Sequence, residues 1–239
     1  MKNLTSAAFV AALLLCGVVL STACAQEKNT LTEDFTSVEG SRWTVELPLP
    51  GSSLQVKKSE LMMANRAYIV SKQDFAGQLE LSLKWTHKDN DGGRLYADAF
   101  QLTLHSSGGL QGGGTRELKD GVQVRLTPGT GLLQITQVVK GEVTELFRQY
   151  LELEKDETKQ AWPPLSGEDW YHIKIKDDGA KISASVSKNN GDPFIAGEGK
   201  YDAKKITGHK IVLGNREIKG PVKFMTSYVQ GLSVKPLKK

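Results

Sequence analysis

Gln78-Leu79-Glu80-Leu81-Ser82-Leu83-Lys84-Trp85-Thr86-His87-Lys88 decides the fold class. Leu79, Leu81, Leu83 and Trp85 alternate with Glu80, Ser82 and Lys84. Period-two alternation sends successive side chains to opposite sides of a strand, so one face meets a core and the other meets water. Residues 99–107 repeat the pattern, with Phe100, Leu102 and Leu104 set against Gln101, Thr103 and His105. Residues 121–127 set Val122, Val124 and Leu126 against Gln123 and Arg125. Working outward, 132–139 and 143–151 flank the turn Lys140-Gly141-Glu142, and 170–176 and 181–187 flank Asp177-Asp178-Gly179, a hairpin composition. Further strands are expected at 194–199, 210–213 and 222–234, and earlier at 43–47, 53–63 and 67–71. Many short strands with Gly-rich turns and no long helical pattern predict an all-β chain folded as a two-sheet antiparallel sandwich.

The beginning of the chain reads differently. Lys2 precedes an apolar run from Ala7 to Leu20, followed by the small residues Ala23-Cys24-Ala25. Basic start, short apolar middle and small-residue exit make the pattern of a signal peptide. The run is shorter than the roughly 20 residues needed to span a bilayer. Residues 1–25 are therefore expected to be a signal peptide and 26–239 the working domain, exported from a bacterium and secreted or periplasmic. Leu20 to Cys24 also resembles a lipobox, with Ser21 where an aliphatic residue is usual. That alternative makes an envelope lipoprotein with a lipid anchor at Cys24. Cys16 and Cys24 are the two cysteines of the chain. The expected domain thus has no disulfide, cysteine-ligated metal or cysteine nucleophile, and no transmembrane segment is expected in it. The net charge of +4 is spread over interleaved acids and bases, which argues against a nucleic-acid partner, whose footprint is a clustered basic stripe.

Several segments resemble the concanavalin A-like lectin and glucanase superfamily. They are Glu33-Asp34-Phe35, Arg42-Trp43-Thr44-Val45, Phe75-Ala76-Gly77-Gln78-Leu79-Glu80-Leu81, Trp170-Tyr171-His172-Ile173-Lys174-Ile175 and Gly208 to Asn215, with the last strand through Tyr228. The laminin-G-like and 3-keto-disaccharide hydrolase types share this order of elements. The resemblance implies a jelly roll of two curved antiparallel sheets and an extracellular or cell-wall glycan as partner. It implies fold more strongly than activity.

Glycoside hydrolysis uses two carboxyl groups a few ångströms apart. Glu152-Leu153-Glu154 has alternate carboxylates, but Lys155 breaks the glucanase signature and the stretch reads as a charged loop. Arg116-Glu117-Leu118 with Gln134-Ile135-Thr136 resembles the strands of alginate lyases, but Thr136 stands where their histidine would act as base. Whether the chain is an enzyme stays open on this reading. The expected function is a non-catalytic glycan-binding module. The alternatives are a hydrolase of the 3-keto-disaccharide type and a structural or adhesive envelope protein. The expected ligand residues are Lys84, Gln101, His105 and Arg125, on a polar face that forms if their strands share a sheet, with Trp162 as an aromatic platform at its border. Trp162 lies in a Pro-rich loop and reads equally as a lid over the sheet edge. Asp89, Asp91 and Asp98 have the spacing of an imperfect calcium loop, and the resemblance implies a structural calcium; the same residues read as a polar hairpin tip.

Overall fold

The structure, a computed structural model, describes residues 30–38, 42–48, 51–89, 98–108, 120–151, 165–216 and 225–237. The stretch that opened the sequence reading forms the strand Leu79–Asp89, flanked on one side by Tyr171–Asp177 and on the other by Met225–Pro236. In chain order the strands are β1 (Leu31–Glu33), β2 (Trp43–Glu46), β3 (Ser53–Lys57), β4 (Glu60–Ala64), β5 (Tyr68–Ser71), β6 (Leu79–Asp89), β7 (Ala99–Ser106) and β8 (Gly121–Thr127). They continue as β9 (Leu132–Val139), β10 (Glu142–Tyr150), β11 (Tyr171–Asp177), β12 (Lys181–Lys188), β13 (Pro193–Lys200), β14 (Lys210–Arg216) and β15 (Met225–Pro236).

They make two antiparallel sheets packed as a sandwich. One has eight strands, ordered β13-β12-β11-β6-β15-β4-β3, with β1 also paired to β15. The other has seven, ordered β10-β9-β8-β7-β14-β5-β2. The inward phases are those the alternation predicts. Leu79, Leu81, Leu83 and Trp85 from one sheet and Phe100, Leu102, Leu104, Val122 and Val124 from the other are buried in one apolar core. Trp43 joins them, but Val45 and Leu47, which share its phase, are exposed at the sheet edge.

Two differences from the sequence reading have local causes. The stretch 53–63 is two strands, because Lys58 and Ser59 adopt φ of 54° and 59°. Two consecutive left-handed residues build the tight hairpin turn whose twist matches its strands, and no Asn-Gly marks it in sequence. The third strand of the polar-face expectation also differs: β6 belongs to the eight-stranded sheet, whereas β7 and β8 belong to the seven-stranded one. The polar phases of these strands therefore lie on opposite sides of the molecule. Alternation fixes the phase of a strand but carries no information on which sheet it joins.

Polar side chains also link the two sheets through the core. Trp85 Nε1 donates to Ser227 Oγ (3.0 Å), which donates to Asn215 Oδ1 (2.6 Å); Asn215 Nδ2 donates to the carbonyls of Met63 (2.8 Å) and Met225 (3.1 Å). Another link joins His105 Nε2 of β7 to Asp177 Oδ2 of β11.

Candidate functional site

The outward face of the seven-stranded sheet is built from registered ranks. One runs Glu46, Tyr68, Gly214, Gln101, Arg125, Gln134, Arg148 across all seven strands. The next runs Thr44, Val70, Val212, Thr103, Gln123, Thr136, Glu145. Gly214 is needed at its position, since a Cβ there would lie 2.1 Å from the Tyr68 ring. The ring of Tyr68 thus lies across β14 beside Gln101.

The centre of this face is polar and buried. Arg125 is 5 % exposed, and its Nε donates to Gln101 Oε1 at 3.0 Å while an Nη donates to Gln123 Oε1. Burial pulls the Arg125 guanidinium down to about 10, with Tyr68 acting in the opposite sense. Gln123 Nε2 and Thr136 Oγ1, cross-strand neighbours, are buried without a hydrogen-bond partner. A buried polar atom left unpaired costs about 1–3 kcal/mol, so two side by side mark a place built for something other than packing. At the β10 end the ranks reach solvent. There the exposed Glu145 carboxylate accepts from Gln134 Nε2 (2.6 Å) and pairs with Arg148 (2.7 Å).

Gln101 and Arg125 thus stand together as the sequence suggests, and the other expected ligand residues stand elsewhere. Lys84 projects from the opposite sheet. His105 does not join the outward face. A register shift on β7 against β14 gives His105 a φ of 54°, and this bulge turns the ring inward to Asp177. Asp177, fully buried, also accepts from Tyr201 Oη (2.8 Å) and the Gly179 backbone (2.8 Å). Burial and the bond to Asp177 push the Tyr201 phenol well above its ordinary value. An Asp-His-Tyr group has the parts of an acid–base device. With Asp177 at 0 % and the His105 side chain at 9 % exposure it serves as a bolt between sheets. Trp162 and Asp91 lie outside the described residues, as do the stretches 1–25, 116–118 and 152–156.

The described residues do not by themselves fit calcium, which takes six to eight oxygens. Asp98 Oδ2 accepts the Met225 backbone N–H at 3.2 Å, and among the described residues no three His, Cys, Asp or Glu side chains group to hold a metal ion. No long apolar helix able to cross a membrane occurs among the described residues.

No protein-family model and no curated protein sequence matches the chain. Solved structures do. The exoplasmic/lumenal domain of VIP36 in its Ca2+/Man-bound form superposes with a TM-score of 0.62 at 10 % identity, covering 89 % of this chain and 91 % of that one. A Lotus tetragonolobus seed lectin gives 0.58 at 9 % identity, over 88 % and 99 %. The fold is a concanavalin A-like jelly roll. Botulinum neurotoxin type C, whose cell entry depends on two ganglioside molecules, gives 0.56 at 8 % identity over 90 % of this chain, which spans 50 % of that one. At these identities the likeness is one of fold.

Sequence reasoning missed Tyr68, Gln134 and Thr136 as outward-face residues. The phase of Leu133 and Ile135 carries the signal for the last two; Tyr68 sits in Tyr-Ile-Val-Ser, where every residue is buried and no alternation exists.

Proposed function

We propose that this chain is a non-catalytic glycan-binding module working outside the cytoplasm, with residues 1–25 as its export signal. The observation that carries the reading is the outward face of the seven-stranded sheet. It sets an aromatic ring, a buried guanidinium, amides and a hydroxyl in two ranks, with Gln123 Nε2 and Thr136 Oγ1 unmatched. Sugar hydroxyls both donate and accept, so they complement such a mixed set. The ranks lead from the buried centre through half-buried Gln134 to the exposed Glu145 and Arg148, which is the approach for a glycan. The mannose-bound VIP36 domain and the ganglioside-dependent neurotoxin, alike in fold, support the same partner class.

The decisive variant is Arg148→Ala, which removes an exposed donor at the open end of the ranks. After a glycan array identifies a ligand of the purified domain, this variant should bind it about fivefold more weakly, as for the loss of one hydrogen bond of ~1 kcal/mol. Its thermal midpoint should stay nearly unchanged, because an exposed ion pair contributes little. Parental affinity in Arg148→Ala would move the site off this face. A lipid anchor at Cys24 extends the reading to the envelope, and mass spectrometry of native protein separates it from cleavage before Gln26. A structural calcium held by Asp89, Asp91 and Asp98 belongs to the same reading; a thermal midpoint lowered by chelator and restored by calcium is its check.

A further inference from the structure

The outward face of the eight-stranded sheet carries a second arrangement. Its ranks run Gln230, Lys84, His172, Ser187; then Ser233, Ser82, Lys174, Ser185; then Lys235, Glu80, Lys176, Ser183. The serines are short and the lysines long, so the face is a trough. Two adjoining hollows occupy it. One of about 220 Å3 is lined by Lys84, Trp170, His172, Asn189, Asn190 and Gln230. The other, about 480 Å3, is lined by Lys174, Lys176, Ser183, Ser185 and Glu198 among others.

The charges on this face do not cancel. Glu80 is paired with Lys235 (3.2 Å), Glu198 with Lys181 (3.0 Å) and Asp169 with Lys188 (2.7 Å). Glu60 accepts from Gln230 at 2.9 Å. Lys84, Lys174 and Lys176 are exposed, and among the described residues none has a carboxylate partner. Lys174 and Lys176 lie two residues apart on one strand, about 7 Å, and Lys84 is the diagonal neighbour of Lys174 at a similar distance. The potential they create is felt locally: after burial, Lys174 and Lys84 are the causes that hold His172 below the ordinary imidazole value. Trp170, half-buried just before β11, walls the end where Asn189 and Asn190 form the β12–β13 turn.

We propose that this trough is a second binding site, for an acidic polysaccharide laid along β11 from Trp170 to Lys176. The lysines would meet its carboxylate or sulfate groups, and Trp170, the asparagines and the serines its rings and hydroxyls. Stacking ring, amides and hydroxyls suit a sugar chain better than a nucleic acid, which would ask for a row of aromatic residues. The site is on the opposite sheet from the one proposed above and does not depend on it.

The test titrates the purified protein with polygalacturonate, dextran sulfate, neutral dextran and double-stranded DNA. Binding to one or both acidic polysaccharides and not to dextran is expected, with loss at high salt because exposed charges are screened; which polymer binds tells carboxylate from sulfate. Lys84→Ala, Lys174→Ala and Lys176→Ala should each weaken binding about three- to tenfold and the triple variant should abolish it, while Lys174→Arg retains most of it. All three are surface changes, and unchanged circular dichroism confirms folding. Arg148→Ala, on the opposite sheet, should leave this binding near the parental value, so failure of either site is read separately. A triple variant that binds like the parent, or equal affinity for DNA, would overturn the proposal.

Discussion

Replacing Asp177 by alanine should destabilise the domain more than any surface change. The carboxylate is fully buried and receives His105, the Tyr201 hydroxyl and the Gly179 N–H. Truncation strands two buried groups, the imidazole nitrogen and the phenol, and breaks a link between sheets. Each buried polar group left without its partner costs about 1–3 kcal/mol; two such groups give about 4 kcal/mol here, since the Gly179 N–H is only partly buried and can turn to water. For a domain of this size that lowers the thermal midpoint by about 8–16 °C. Urea unfolding of parent, Asp177→Ala, His105→Ala and the double variant completes a cycle. Directly bonded partners should couple by at least about 2 kcal/mol, within the range for residues in one network. A coupling inside about 0.5 kcal/mol would refute the inward placement of His105 and return it to the outer face.

Leu81→Ala should cost about 2–5 kcal/mol in urea unfolding, the range for buried leucine truncation; under about half a kilocalorie would reverse the strand phase. Ser59→Gly removes a side chain from a left-handed residue and should stabilise by about 1 kcal/mol, with a fall in thermal midpoint contradicting the tight turn between β3 and β4. His172 links the trough to pH. Its imidazole is held low by burial, Lys174 and Lys84, and a bound anion would raise it again. The complex then binds more protons than the free protein, so affinity for the acidic polysaccharide should rise as pH falls through the imidazole range. His172→Ala should flatten that profile, and a flat profile in the parent would remove His172 from the site.

The sandwich was legible because Leu79 to Trp85, Phe100 to Leu104 and Val122 to Leu126 each repeat a two-residue period, although β7 and β8 prove buried on both faces. Arg125 and Gln101 were legible on the same grounds, being outward in phase on adjacent strands. His105 was not, since one bulge residue inverts the phase after Leu104, and nothing in Leu-His-Ser marks a bulge. Lys84 was read as polar and outward, which it is, but its neighbours are His172 and Gln230, brought together by pairings more than 80 residues apart in sequence. Trp170, the first residue of the expected strand 170–176, stands one residue before β11 and is only half-buried.

The position of β15 has a consequence for how the chain reaches its native state. The last strand in sequence is inserted in the middle of the eight-stranded sheet, bonded to β6 on one side and to β4 on the other, and it also pairs with β1. Until residues 225–236 have left the ribosome, β4 and β6 have no common neighbour and each presents an open edge. The seven-stranded sheet, whose last member is β14, can assemble earlier. Closure of the eight-stranded sheet therefore waits for residues 225–236, which alone join β4 to β6.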